Sequence, residues 1–196
     1  MNNKLSLSDI LALDSLEAAP QLLGVLISRH LPQGLLSLRI VETEAYHQND
    51  PASHSFRGIT ARTAPMFETG GTIYVYFTYG MHYCLNIVTG QKGAGEAVLI
   101  RAAEPLAGLE IMRKNRNTND IYKLANGPAK LTQALGIKDT KLSGKKLNKL
   151  SIFLSAPENP IIAVDVVVAR RIGISEAAQQ PWRFYIKDNP FVSKLL

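Results

Sequence analysis

A single cysteine, Cys84, stands in a chain of 196 residues. No internal disulfide can form, so the fold must rest on its buried core, and the cytosol is the expected compartment. With that one thiol and histidines only at 30, 47, 54 and 82, no spacing suits a zinc site. A Walker loop, a dinucleotide fingerprint and a Gly-x-Ser-x-Gly elbow are likewise missing, so no metal or cofactor is expected. No apolar run approaches the roughly 18 residues of a membrane span. Met1-Asn2-Asn3-Lys4-Leu5-Ser6 lacks the apolar stretch of a secretory signal. Acidic residues are in deficit: 16 Asp and Glu against 22 Lys and Arg leave a net charge of +6. A basic balance suits a polyanionic partner such as nucleic acid. The charge is uneven, with Lys138, Lys141, Lys145, Lys146 and Lys149 in one run and Arg113, Lys114 and Arg116 in another. Each run taken singly also reads as a solvated face.

Apolar residues make up 46% of the chain and charged ones 19%, a globular composition on a chain long enough to bury its own core. There is no internal repeat, low-complexity tract or compositional break, so residues 1–196 read as one domain. Leu7–Leu16 carries apolar residues at helical spacing behind Ser8-Asp9. Pro20 interrupts, Leu22–Ser28 reads as a buried strand, and Pro32-Gln33-Gly34 as a turn. From Leu36 to Tyr46 the even positions alternate with the odd ones. This predicts a strand with Leu36, Leu38, Ile40, Glu42, Glu44 and Tyr46 on one face. His47–Gly71 is polar and aperiodic, a long loop of the kind that often carries function. Thr72–Thr78 and His82–Val88 form a hairpin around Gly80-Met81, and Ala97–Ala103 is a further strand. Helices are expected from Pro105 to about Lys114 and from Pro128 to Leu135. Lys138–Lys149 reads as loop, with final strands in Leu154–Arg171 and Arg183–Lys187. Strands gather early and helices late, which predicts an α+β fold with a curved, mainly antiparallel sheet.

Two features carry chemistry. Glu44 ends an apolar strand beside Tyr46, and a carboxylate in a partly desolvated aromatic setting serves as a general base if a cation or hydrogen bonds hold it ionised. Glu42, one pleat back, competes for that role, and a strand-end Glu in water is the plainer alternative. The second feature is Tyr74-Val75-Tyr76-Phe77-Thr78-Tyr79-Gly80-Met81-His82-Tyr83, which holds most of the chain's seven tyrosines. Such a hairpin can be ordinary core or sheet surface. Yet Tyr79 and Met81 flank a glycine at its tip, where self-burial is hard, and minor-groove proteins use such wedges to part base steps. The remaining aromatics could stack on a displaced base.

Seven motifs stand in order along the chain. They are Val41-Glu42-Thr43-Glu44-Ala45-Tyr46, Ala52-Ser53-His54-Ser55, the hairpin from Tyr74 to Met81 with Asn86 downstream, and Leu99-Ile100-Arg101-Ala102-Ala103-Glu104-Pro105-Leu106. Asn126-Gly127-Pro128-Ala129-Lys130-Leu131, Arg171-Ile172-Gly173-Ile174 and Pro181-Trp182-Arg183-Phe184-Tyr185 complete the set. Together they resemble the alkyladenine (3-methyladenine) DNA glycosylase family. The resemblance runs from about Leu22 to the C-terminus. It implies one α+β domain with an open, barrel-like antiparallel sheet, flanking helices and a projecting hairpin. It also implies a base-excision enzyme that flips alkylated or deaminated purines out of double-stranded DNA and hydrolyses the glycosidic bond. On that resemblance Glu44 is the general base, Arg101 helps to hold the water, and Ile172 supplies a main-chain carbonyl to it. Tyr46, His54 and Tyr76 sandwich the flipped base, Asn86 rejects bases with an extra exocyclic amino group, and Tyr79 fills the gap in the duplex with Met81 beside it. No cofactor is implied, a monomer suffices to search DNA, and no protein partner is evident.

There are departures from the family pattern. Thr60-Ala61-Arg62-Thr63 stands where the family often has Arg then Asn, and His82 stands where mammalian members carry Tyr. A two-residue turn at Gly80-Met81 would put Tyr76 and Asn86 on opposite faces of the hairpin. The resemblance needs them in one pocket, so a three-residue loop, Gly80-Met81-His82, or a bulge is expected, with Tyr76 opposite Asn86. A nonenzymatic nucleic-acid binder would need the basic surface and Tyr79 but neither Glu44 nor Arg101. A tRNA-binding or formyltransferase-like module, or a structural β-rich domain, would need no pocket walled by Tyr46, His54 and Tyr76.

Overall fold

The structure, a computed structural model, describes residues 5–156 and 165–194. Its central element is β2 (Gly34–Tyr46). One edge of β2 pairs with β5 (Glu96–Ala107). The other edge pairs first with β1 (Leu26–Leu31), through Arg39, and then with β8 (Arg183–Ile186), over Glu42–Glu44. β3 (Ile73–Thr78) and β4 (His82–Thr89) continue the sheet beyond β5. β6 (Ile152–Ser155) flanks β1, and β7 (Val166–Ala169) flanks β8. Every pairing is antiparallel, and the eight strands form one curled sheet. The class is α+β, as its strand and helix pattern predicts.

Among the described residues four α-helices pack on that sheet: α1 (Leu7–Ala12), α2 (Ser15–Gln21), α3 (Leu109–Arg116) and α4 (Pro128–Ala134). The one helix expected over Leu7–Leu16 is therefore two. Asp14 divides them because its carboxylate accepts hydrogen bonds from the amides of Leu16 and Glu17, and so caps a new helix. Leu22, Leu23 and Val25 are buried, but in a turn around Gly24 at φ 82°, and the strand expected from Leu22 begins only at Leu26. A short apolar run does not distinguish the two conformations. Pro105 was expected to open a helix and instead lies in β5. Beyond Leu99 the far edge of β5 pairs with no strand among the described residues, and a residue without an N–H is tolerated there. Of the strand expected over Leu154–Arg171, the two ends appear in β6 and β7, while 157–164 lie outside the described residues.

The sheet changes phase at its middle, and this decides the site. Leu36, Leu38 and Ile40 face the main core, which also holds Ala18, Ala19 and Leu131 from α2 and α4. Further along β2, Ala45 belongs to that core and Thr43 donates its hydroxyl to the carbonyl of Ala19 in α2. Even residues face the core before Val41, and odd residues after it. The register with β5 steps from Ile40↔Ala103 to Glu42↔Ala102 and then to Thr43↔Ile100, skipping Val41 and Arg101. The irregularity falls on both strands, and it turns Val41 and Glu42, with Arg101 and Ala102 opposite, away from the main core. The single face expected from Leu36 to Tyr46 is thus two faces. The acidic residues sit on the side opposite the aliphatic ones.

Candidate active site

Glu44 has no exposed surface. Its Oε1 accepts hydrogen bonds from the backbone N–H of Ile172 at 2.8 Å and lies 3.2 Å from Nη1 of Arg101. Its Oε2 accepts the phenol proton of Tyr46 at 3.0 Å. Burial raises the pKa of this carboxyl above its ordinary value. Arg101, the Ile172 amide and the Tyr46 hydroxyl oppose that rise, and the neighbouring Glu42 adds to it. Nη1 of Arg101 also approaches the carbonyl of Ile172, at 3.5 Å. Three residues that the sequence resemblance brought together, Glu44, Arg101 and Ile172, therefore converge at one point. Ile172 contributes its N–H as well as its carbonyl.

Tyr46 joins this cluster to a cavity of about 150 Å3 lined by Tyr46, His54, Tyr76 and Asn86, together with Tyr74, Met66, Thr78, Tyr79 and the Gly173-Ile174 turn. A cavity of about that volume holds one aromatic ring in other proteins. Tyr46 forms part of its lining and covers Glu44 with its hydroxyl. Across the sheet Asn86 pairs with Leu99, and Leu99 with Glu44. Directly opposed residues point to the same side, so Asn86 and Glu44 share a face about 10 Å apart, the width of two strand spacings.

The rest of the wall is built from the 47–71 loop. The hydroxyl of Ser55 donates to the carbonyl of Gly95 at 2.6 Å, and Ser53 and Ser55 bond to each other, which fixes His54 between them. Gly95 is at φ 68°, and a Cβ there would meet the ring of Phe67 at 2.8 Å, so only glycine serves. The ring of His54 meets that of Tyr76 edge-on, with centroids 4.5 Å apart. Arg62 contacts Nε2 of His54 at 3.2 Å, and the hydroxyl of Tyr74 lies 2.9 Å from Nδ1. A guanidinium only donates, so Nε2 accepts, the proton sits on Nδ1, and the ring is neutral. Burial, and then the charge of Arg62, bring the pKa of His54 down to about 4.

The hairpin resolves the question of its turn. Thr78 pairs with His82, Tyr76 with Cys84, and Tyr74 with Asn86. The loop has three residues, as the pocket requires, but they are Tyr79-Gly80-Met81, and the expected pairing of Tyr76 with Asn86 is displaced by two residues, so that Asn86 faces Tyr74. Tyr79 and Gly80 take positive φ angles of 50° and 67°, which closes the loop one residue earlier. Since the register moves by an even step, Tyr76 and Asn86 still share a face. Asn86 donates its side-chain N–H to the carbonyl of Tyr74 at 3.1 Å. At the tip Tyr79 is 76% exposed and Met81 69%. The Tyr79 hydroxyl reaches the carbonyl of Gly173 at 3.5 Å, spanning the cavity mouth.

Several neighbours of the site stand in the quoted motifs without a role assigned by the resemblance. Arg171 is fully buried, pairs with Asp50, donates to the carbonyl of Ala45 at 3.1 Å, and lies 4.7 Å from the ring centre of Tyr46 and 5.0 Å from that of Trp182. It ties the 47–71 loop and the 170s turn to the back of Tyr46. Glu42 meets Arg183 at 2.8 Å and Ser193 near the C-terminus. No cluster of metal-ligating side chains occurs among the described residues.

The sequence model of the methylpurine-DNA glycosylase family matches residues 9–190. The chain belongs to this family. Relatives match it over nearly its whole length. A protein of Francisella tularensis subsp. tularensis is 50% identical over 195 residues, covering 99% of this chain and all of its own. One of Carboxydothermus hydrogenoformans is 50% identical over 93% of this chain and 95% of its own, and one of Methanoculleus marisnigri 46% identical over 92% and 94%. All three bear the name "Putative 3-methyladenine DNA glycosylase".

Proposed function

We propose that this member of the methylpurine-DNA glycosylase family binds double-stranded DNA, flips a damaged purine into the aromatic cavity, and hydrolyses its N-glycosidic bond with a water activated by Glu44. The observation that carries this reading is the buried Glu44–Arg101 pair, joined through the Tyr46 hydroxyl to a cavity walled by Tyr46, His54 and Tyr76. A purine lies between Tyr46 on one side and the His54–Tyr76 pair on the other. The water sits against Glu44, the Ile172 carbonyl and Arg101. Glu44 takes a proton from it as its oxygen bonds to the anomeric carbon, and the carbon–nitrogen bond breaks with its electron pair leaving on the purine. A purine methylated at a ring nitrogen is already cationic and leaves neutral, so the strongest requirement is for an anion near the sugar, where positive charge develops. The products are the free base and an abasic site, in a monofunctional reaction without a cofactor.

Neutral His54 leaves the wall uncharged against a cationic base, and Asn86 filters out purines with an additional exocyclic amino group. Tyr79, with Met81 beside it, enters the duplex where the base has left, at a flipping cost of a few kcal/mol that is least for damaged pairs. A DNA substrate makes the cytoplasm the working compartment, and one copy of the chain suffices. The test is an excision assay on duplex DNA carrying 3-methyladenine, 7-methylguanine, hypoxanthine or ethenoadenine, with wild type beside Glu44→Gln. Release by wild type and its loss in the variant is the expected result. Equal release by both would remove Glu44 from the role of base, and release by neither would remove the activity itself.

A further inference from the structure

Arg101 faces two carboxylates and not one. Its Nε lies 3.2 Å from Oε1 of Glu42, and its Nη1 lies 3.2 Å from Oε1 of Glu44. A guanidinium alone with one carboxylate would grip both oxygens with two parallel N–H bonds. Here that grip is divided. Glu42 is itself held from three sides: Arg183 Nη1 donates to Oε1 at 2.8 Å, the Ser193 hydroxyl to Oε1 at 3.0 Å, and the Ser193 N–H to Oε2 at 2.7 Å. Arg183 is fixed in turn by the carbonyls of Arg170 and Lys194, both at 2.9 Å, and lies 4.8 Å from the ring centre of Tyr185. Ser193 also accepts from Nε of Arg101 at 3.3 Å. Glu42 is completely buried, and this cluster stands behind the cavity without lining it.

The consequence falls on Glu44. Its Oε1 accepts from the Ile172 N–H and lies in ion-pair contact with Nη1 of Arg101, while Oε2, among the described residues, accepts only from Tyr46 and keeps a lone-pair site. We propose that Glu42 is a positioning residue: with Arg183 and Ser193 it holds Nε of Arg101, so that the guanidinium reaches Glu44 through one nitrogen and Oε2 stays open to take a proton from water. The inference rests on the reading of Glu44 as the base. It assigns to the Ser193 end of the chain, far from the cavity in sequence, a part in setting that base.

The groups facing Glu44 are Glu42 and Tyr46 from its own strand, Arg101 from β5, Arg183 opposite it on β8, Cys84 from β4, the Ile172 amide, and Arg171 behind Tyr46. Replacing Glu42 with Gln removes a negative neighbour of Glu44 and frees Arg101 to close on both of its oxygens. Both changes favour ionised Glu44 and make it a weaker base.

The experiment measures single-turnover excision against pH on methylated duplex DNA for wild type, Glu42→Gln, Ser193→Ala and Glu44→Gln. Glu42→Gln is expected to slow the maximal rate by about tenfold to a hundredfold, less than the whole of a general base's contribution, and to move the acid limb of the profile to lower pH with lesion affinity unchanged. Ser193→Ala, which keeps every charge in place, moves the limb the same way by less. A slower rate with the limb unmoved or moved to higher pH in both variants overturns the proposal and leaves Glu44 as base, provided that Glu44→Gln is inactive. Full activity of Glu44→Gln overturns the reading beneath it.

Discussion

Tyr46 donates its phenol proton to Oε2 of Glu44 at 3.0 Å, while the guanidinium of Arg171 lies 4.7 Å behind its ring. One side chain therefore lines the cavity with its ring and contacts the buried carboxylate with its hydroxyl. Burial, and then the charge of Glu44, push the Tyr46 pKa well above its ordinary value, so the hydroxyl remains a donor throughout the working range.

Tyr46→Phe keeps the ring and removes that donor. The hydrogen bond favours the ionised form of Glu44, so its loss raises the pKa of the carboxyl, and the acid limb of excision moves to higher pH. This is the opposite direction to Glu42→Gln. At neutral pH the rate falls about tenfold, the weight of one hydrogen bond to a charged group. A pH–rate profile checks the sign.

Tyr79→Ala should leave the fold unharmed. The side chain is 76% exposed and its one described bond, to Gly173, is long at 3.5 Å. Unfolding in urea should change by no more than about 0.5 kcal/mol. Affinity for lesion-bearing duplex and the excision rate should both fall. Unchanged excision from duplex would show that the tip is not a wedge.

Arg171→Met leaves the carboxylate of Asp50 buried and unpaired, because both side chains have no solvent exposure. Breaking one partner of such a pair costs about 3–5 kcal/mol. The double variant with Asp50→Asn should recover a large part of that loss, measured by urea unfolding.

His54 titrates at about 4, below its ordinary 6.5, because of burial and the Arg62 charge. Between those values the unfolded chain binds the proton and the folded chain does not, so this residue makes stability rise with pH over that window. Arg62→Gln removes the opposing charge and moves the His54 titration upward. Histidine ring resonances followed by NMR between about pH 3.5 and 7 bracket both values. An unmoved His54 titration would remove Arg62 from its control.

Much of this was legible in the chain because the signals are local. Pro128 opens α4 with the ring-fixed φ that a first helical residue needs, and the hairpin announces itself through β-rich runs around glycine. What failed depended on competition between neighbours. Asp14 capped a second helix, Gly24 bent an apolar run, and Pro105 stayed in a strand that, among the described residues, has no strand on its outer edge beyond Leu99. The pairing of Arg171 with Asp50 spans 121 positions, and no periodicity reports it.

The order of residues set which chemical groups were at hand: a carboxylate near a tyrosine at 44 and 46, an arginine at 101, aromatics around a glycine tip, and a family pattern that collects them. It could not decide on which side of the sheet Glu44 stands. Strand periodicity is blind to a bulge, and one extra residue reverses every side chain beyond it. The paired irregularity at Val41 and Arg101 turned the acidic half of β2 away from the core that holds its aliphatic half. That reversal exists only when β2 and β5 lie side by side, and it places Glu42, Glu44 and Arg101 within one another's reach.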